Sequence, residues 1–252
     1  MLTLIFLISI SSVVIYAGDF GGKYVRIKLM TYNVRNCRGL DNVTDYDRVA
    51  QIINRTSAEF VALQELDSAT ERSNQLVVLD EQARRTGMIS TYSASIPYMG
   101  GKYGVGILTR EKPLNVVRVP LPGKEEKRSL LIVETKKIVF CCTHLSLTHE
   151  DRLASVSIIE KATRDLKKPV IIAGDFNADP DSEEIKQLLK DWEIINDTSQ
   201  FTIPANHPAK CIDYIMIRKD NKTKTRKISS VVGNEPVASD HLPVWVEVAI
   251  NE

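Results

Sequence analysis

Nine short runs rich in β-branched and aliphatic residues recur from end to end of this 252-residue chain, and that many strands restrict the folds open to it. They are Val25 to Asn33, Glu59 to Gln64, Tyr103 to Thr109, Leu114 to Leu121, Ser129 to Thr135, Ile138 to Thr143, Val170 to Ala173, Ile212 to Ile217 and Pro243 to Ile250. Nine strands exceed what one simple doubly wound unit holds. Helical patterns intervene at four places. Thr44 precedes a stripe of Val49, Ile52, Ile53 and Thr56, and Glu71 to Thr86 ends at Gly87. Thr148 opens a capping-box pattern ahead of Leu153, Val156, Ile159 and Ala162, and Ser182 precedes Ile185, Leu188 and Leu189. Hairpin-joined strands with helices interspersed predict an α/β fold, a four-layer α/β sandwich with two mixed β-sheets packed face to face and helices outside. Periodicity alone leaves other mixed folds open.

No linker-like tract, repeat or low-complexity segment divides the chain, so residues 23–252 read as one domain. Met1 to Ala17 carries no charged side chain and ends in one small residue, Ala17, after the large Ile15, which reads as a signal peptide over residues 1–17 and predicts a secreted or periplasmic protein. The alternative is an uncleaved anchoring helix, although the run is slightly short of the roughly 20 residues a bilayer span needs. Cys37, Cys141, Cys142 and Cys211 follow no metal-site spacing and are too few for a disulfide scaffold, so buried thiols are expected, with an oxidised pair as the alternative.

Polar residues gather where the apolar runs stop. Thr31-Tyr32-Asn33, Gln64-Glu65, Thr143-His144-Leu145, Gly174-Asp175-Phe176-Asn177, Cys211-Ile212-Asp213-Tyr214 and Ser239-Asp240-His241 all stand at such points. A carboxylate or imidazole just past a buried strand lies at the sheet rim, where ligand sites on rigid scaffolds concentrate. Taken singly, each has an ordinary reading as a turn residue, a solvated carboxylate or a satisfied histidine. Their joint occurrence points to a site.

This ordered set resembles the endonuclease/exonuclease/phosphatase superfamily, from Met30 to Pro243. The resemblance implies a two-sheet sandwich with its site at one end and a metal-dependent hydrolase of phosphoester bonds. It implies Glu65 as the main metal ligand, with Asn33 and Asp240 near the same ion, Mg²⁺ or alternatively Mn²⁺; hard oxygen donors suit such ions. His241 then contacts the scissile phosphate or its attacking water, and Asp213 holds its other ring nitrogen. Asp175 orients or deprotonates the water, and Asn177, two residues on in an extended segment, donates to a phosphoryl oxygen. His144 stands where sphingomyelinase-like branches also carry Thr-His-Leu, and hydrogen-bonds the phosphate or protonates the leaving oxygen. Arg128 and Tyr103 frame the site.

Lys plus Arg number 33 against 32 for Asp plus Glu, so no bulk positive field draws the chain to nucleic acid. The expected substrate is a small or lipid phosphoester, met by a monomer with no obligate protein partner; a membrane surface becomes a partner if the substrate is a lipid. An extracellular nuclease and a catalytically silent binding module are the alternatives. Arg218 to Lys227 is the one locally basic run, read as a solvated hairpin or a grip on anions.

Overall fold

The computed structural model describes residues 24–219 and 223–251. The expected leader therefore lies outside the described residues, as does the middle of the basic run. In chain order the strands are β1 (Tyr24–Asn33), β2 (Phe60–Ser68), β3 (Ile89–Tyr98), β4 (Gly101–Thr109), β5 (Asn115–Leu121), β6 (Arg128–Glu134), β7 (Val139–His144), β8 (Val170–Asp175), β9 (Trp192–Ile194), β10 (Asp213–Arg218), β11 (Thr225–Val232) and β12 (Val244–Asn251). The helices are α1 (Tyr46–Thr56), α2 (Val78–Thr86), α3 (His149–Thr163) and α4 (Glu183–Leu188). One six-stranded sheet has the order β11-β12-β1-β2-β4-β3 and the other β5-β6-β7-β8-β10-β9. Each is mixed: β1 pairs β2 in parallel, as β7 pairs β8, and the other neighbours are antiparallel. No described helix is long and apolar enough to cross a membrane.

Side-chain alternation along the strands builds the layers. Ile27 and Leu29 of β1, Phe60 and Ala62 of β2, Phe140 and Cys142 of β7, Ile171 and Ala173 of β8, and Ile215 and Ile217 of β10 meet in one cluster between the sheets. Phe60 and Phe140 touch across it, ring centroids 5.6 Å apart. The intervening residues face outward. Met30, Tyr32, Val61 and Leu63 pack under α1 and α2, while Ile132, Cys141, Ile172 and Tyr214 pack under α3 and α4. Continuing the inner parity to the strand ends brings Asn33, Gln64, His144, Asp175 and Asp213 to the same interior face that Ile27 and Ala173 line. The apolar stripe turns polar at one end of the sandwich.

The differences from the sequence reading have physical causes. The unexpected strands β3, β9 and β11 each lie at a sheet edge, where one side meets solvent. Ser90, Thr91, Ser93 and Ser95 therefore dilute the apolar signal of β3, and β9 has only three residues. The helix expected over Glu71 to Thr86 spans only its second half. Asn74 and Gln75 have φ of 52° and 62°, and Arg72 is drawn back onto Asp67 at 2.6 Å. Asp45, not Thr44, caps α1 by accepting from the Arg48 amide at 2.9 Å. The Thr148 hydroxyl leaves its helix uncapped and donates to Glu125 Oε2 at 3.1 Å.

All four cysteines are free and buried. Burial raises every thiol pKa, that of Cys142 to about 12 with Gln64 and backbone hydrogen bonds opposing. A thiol-disulfide reagent at pH 8 is expected to titrate none of them in the native protein and all four in guanidinium chloride; rapid reaction of any one in the native state contradicts this packing.

Candidate active site

Asp175 is the junction of the polar end. The register pairs His144 with Asp175 and Asp213 with Asp175, which places three site residues on adjacent strands of the second sheet. Asn33 arrives from the facing sheet and its Nδ2 donates to Asp175 Oδ2 and to Glu65 Oε1, each at 3.0 Å. His241 Nδ1 lies 2.9 Å from Asp213 Oδ2, and its Nε2 lies 3.5 Å from Asp175 Oδ2. His144 Nε2 stands at the same 3.5 Å from that oxygen. Asp175 and Asp213 are each 1% exposed, so these contacts act with little solvent screening.

Local backbone geometry turns the groups inward. Glu65 has φ of 60°, and the β2–β4 pairing shifts register between Leu63 and Leu66, a bulge that takes Glu65 out of the ladder. Arg35, Asn36 and Cys37 all have φ between 45° and 58°, folding the chain sharply after β1. The Arg35 amide then donates to Asn33 Oδ1 at 3.1 Å, which fixes the side-chain amide with its nitrogen toward the two carboxylates. Ser239 Oγ donates to Asn33 O at 2.8 Å and holds the Ser-Asp-His turn against β1.

The electrostatics follow from this crowding. Burial pulls the His241 pKa down, but the charges of Asp213 and Asp175 overcome it and raise it to about 10, so the imidazole carries a proton at neutral pH. Burial lowers that of His144 to about 3 against the opposing pull of Asp175, leaving it neutral. Burial, Asp240 and Asp175 together raise the Glu65 carboxyl, with the Asn33 hydrogen bond opposing. Glu65, Asp175, Asp213 and Asp240 thus surround His241, and Arg35 reaches Asp240 at 3.8 Å. Asp213 Oδ1 is buried without a hydrogen-bond partner. A surplus of carboxylate charge on hard oxygen donors fits a divalent cation.

Ligand-capable atoms of Asp175, Asp213 and His241 lie within 4.8 Å of one another. That trio has metal-like spacing, and since His241 Nδ1 is taken up by Asp213 at 2.9 Å, Nε2 is the ring nitrogen it could offer. Glu65 and Asp240 are the carboxylates left beside it, while Asn33, expected near the same ion, presents its amide nitrogen there and keeps its oxygen on the Arg35 N–H.

The remaining residues are less central. The segment after Asp175 is not extended as the sequence reading assumed: Asn177 has φ of 49°, its amide nitrogen donates to Leu145 O at 2.9 Å, and its backbone N–H donates to Asp175 Oδ1 at 2.9 Å. It ties two loops and steadies the carboxylate. Arg128 is buried and ion-paired with Glu126 at 2.8 Å. Tyr103 pairs with Asp67 in the β2–β4 ladder, and Glu65 helps raise its hydroxyl pKa. Sequence reasoning missed Thr202, whose hydroxyl donates to Asp213 Oδ2 at 2.5 Å, because it lies in a loop 11 residues away with no motif of its own.

A two-sheet sandwich with a carboxylate–histidine centre at one end is the phosphoesterase fold. The sequence matches the model of the Endonuclease/Exonuclease/phosphatase family over residues 30–241, and the chain belongs to that family. Among solved structures it is similar to an endonuclease/exonuclease/phosphatase from Bacteroides vulgatus, at 16% identity over 89% of this chain and 98% of that one, with a TM-score of 0.73. A mannosyl-6-phosphatase from Bacteroides thetaiotaomicron gives 16% identity, 88% and 99% coverage and a TM-score of 0.69. The human Nocturnin catalytic domain with bound sulfate gives 18%, 90%, 95% and 0.67. At these identities the likeness is one of fold. A comparison with curated protein sequences returns no match.

The His241 charge predicts a pH signature. Its folded pKa is raised above the ordinary 6.5, so its stabilising effect is complete below pH 6.5 and disappears as pH rises through about 10. In metal-free protein, the urea midpoint difference between wild type and His241→Gln is expected to shrink steadily from pH 6.5 to pH 10. A constant or widening difference contradicts a charged imidazole.

Proposed function

We propose that this protein is a divalent-metal-dependent hydrolase of phosphoester bonds, acting by in-line attack of water on a phosphodiester or phosphomonoester. The observation that carries the reading is the buried Asp213–His241–Asp175 chain joined through Asn33 to Glu65. Glu65 and Asp240 would hold the cation, Mg²⁺ or alternatively Mn²⁺, and Asn33 would join them once its amide turns to present Oδ1 in place of the Nδ2 that now faces Glu65. Bound there, such an ion neutralises charge on phosphoryl and leaving oxygens.

The chain's own residues divide the proton work. Asp213 and Thr202 fix the His241 ring, whose Nε2–H faces inward as a charge-bearing donor for a phosphoryl oxygen. Asp175, held by Asn33 and the Asn177 backbone, accepts a proton from the attacking water. Neutral His144 hydrogen-bonds the phosphate through its ring N–H; protonating the leaving oxygen, the other role expected of it, would require the imidazolium that burial disfavours. Asn177 contributes through its second amide N–H.

The substrate in this reading is a small or lipid phosphoester and the protein a monomer exported through residues 1–17. The family relatives named above include one described as a phosphatase and one crystallised with sulfate, which agrees with a site for tetrahedral anions. Near-neutral overall charge disfavours a dedicated duplex nuclease.

Hydrolysis of bis-p-nitrophenyl phosphate and p-nitrophenyl phosphate tests the proposal. Turnover is expected with Mg²⁺ and not with EDTA, His241→Ala is expected to lose on the order of 10²–10⁴-fold in kcat, and Glu65→Gln to need far more Mg²⁺. Activity indifferent to EDTA and to both substitutions overturns it, and inactivity on these, on sphingomyelin, inositol phosphates and plasmid DNA alike favours a binding module.

A further inference from the structure

At the end of the sandwich opposite the site, cations outnumber the acids Glu59, Glu111, Glu134, Asp165 and Asp191 that share it, although the chain as a whole is nearly neutral. The pairing registers define that end: Tyr24 faces Asn251, Thr225 faces Ile250, Asn115 faces Glu134, and Val139 faces Val170. Lys112, Lys136, Lys167, Lys224 and Arg226 all lie there in loops and strand ends, from both sheets. All five are exposed, and none has an ion-pair partner among the described residues. Arg55, Arg84 and Arg85, in the last turns of α1 and α2, have a sufficient role in complementing helix dipoles. The first five sit on no helix, so that explanation does not extend to them.

Apolar side chains stand among these cations. Leu114 is 59% exposed at the start of β5, and Ile89 at the start of β3 and Ile228 in β11 are also exposed. The 23 residues preceding β1, which contain the uncharged Met1 to Ala17 run, join the fold at this same end, next to Asn251.

The geometry points to this basic end as a docking surface for an anionic lipid bilayer, with the phosphoesterase site turned away from it. Cations interspersed with exposed aliphatic groups match anionic headgroups over acyl chains. The chain preceding Tyr24 attaches at this end, so the anchoring alternative for residues 1–17, rather than the exported form, would put a membrane on the same side. The ten residues of β1 separate the two ends by about 30 Å. The exposed Leu114, Ile89 and Ile228 have no partner on a phosphodiester backbone but do on acyl chains, which is why the bilayer is the better partner than a polynucleotide. The orientation also implies that the substrate reaches the site from solution.

Vesicle co-sedimentation of the full chain tests this, with phosphatidylcholine alone and with 30% phosphatidylserine. Wild type is expected to partition onto the anionic vesicles in 0.1 M NaCl and to weaken sharply in 0.5 M. Lys136→Glu/Lys167→Glu/Lys224→Glu/Arg226→Glu is expected to lose at least ~100-fold in partition, at roughly fivefold per cation. Lys102→Glu/Lys124→Glu/Lys127→Glu, reversing cations at the site end, is expected to bind like wild type. Urea midpoints within error of wild type establish that both variants fold. Equal binding to neutral vesicles, anionic binding retained by the fourfold variant, or preference for a duplex oligonucleotide over vesicles each overturns the proposal.

Discussion

One oxygen, Asp175 Oδ2, ties the polar end of the sandwich together. Asn33 donates to it across the gap between the sheets, and the two imidazoles stand over it. Everything else at this end is arranged so that a buried carboxylate is tolerable: Asn177 N–H serves its second oxygen, and Thr202 and His241 serve Asp213. The arrangement is incomplete on its own terms. Asp213 Oδ1 has no partner, and the negative charge of Glu65, Asp175, Asp213 and Asp240 exceeds what His241 and Arg35 balance. Such a surplus in a low-dielectric pocket is costly unless something positive completes it, so the polar end is built for a ligand rather than for stability.

The strain points the same way. Glu65 and Asn177 adopt left-handed backbone conformations that side-chain-bearing residues seldom take, and the three residues after Val34 do so in succession. Asn177 and Arg35 to Cys37 lie just past central strands locked by the inter-sheet core, and Glu65 sits at the bulge within another, β2. Rigid packing of Leu29, Ala62 and Ala173 a few residues away lets these turns persist where a looser scaffold would relax them.

How much was readable in the sequence follows from burial. Central strands such as β7 and β8 are buried on both faces, so Val139 to Cys142 and Val170 to Ala173 are apolar without break and stand out. Edge strands β3, β9 and β11 mix polar and apolar residues and do not. The same rule governs the site. Asn33, His144, Asp175 and Asp213 were visible because each interrupts an apolar run at a strand end. Thr202 was not, since a hydroxyl in a loop is chemically ordinary until the fold brings it to Asp213. The extended reading of Asp175 to Asn177 failed because strand geometry stops at Asp175, and nothing in the residue types marks the left-handed turn that follows.

The connection rules of the fold also set its electrostatic axis. Two parallel pairs, β1–β2 and β7–β8, require crossovers, and α1 and α3 supply them. A helix in such a crossover runs opposite to its strands, so it begins at the end where the strand stops. The N-termini of α1 and α3 therefore lie at the site end, with Asp47, Glu150 and Asp151 in their first turns. Acidic residues there answer the helix dipoles and add to the negative field of the site, while lysines and arginines collect at the other end. A phosphate approaching the acidic end meets repulsion until the carboxylates are neutralised. In the function proposed above, a cation would therefore have to bind before the anion, an order that the topology would favour as much as the side chains.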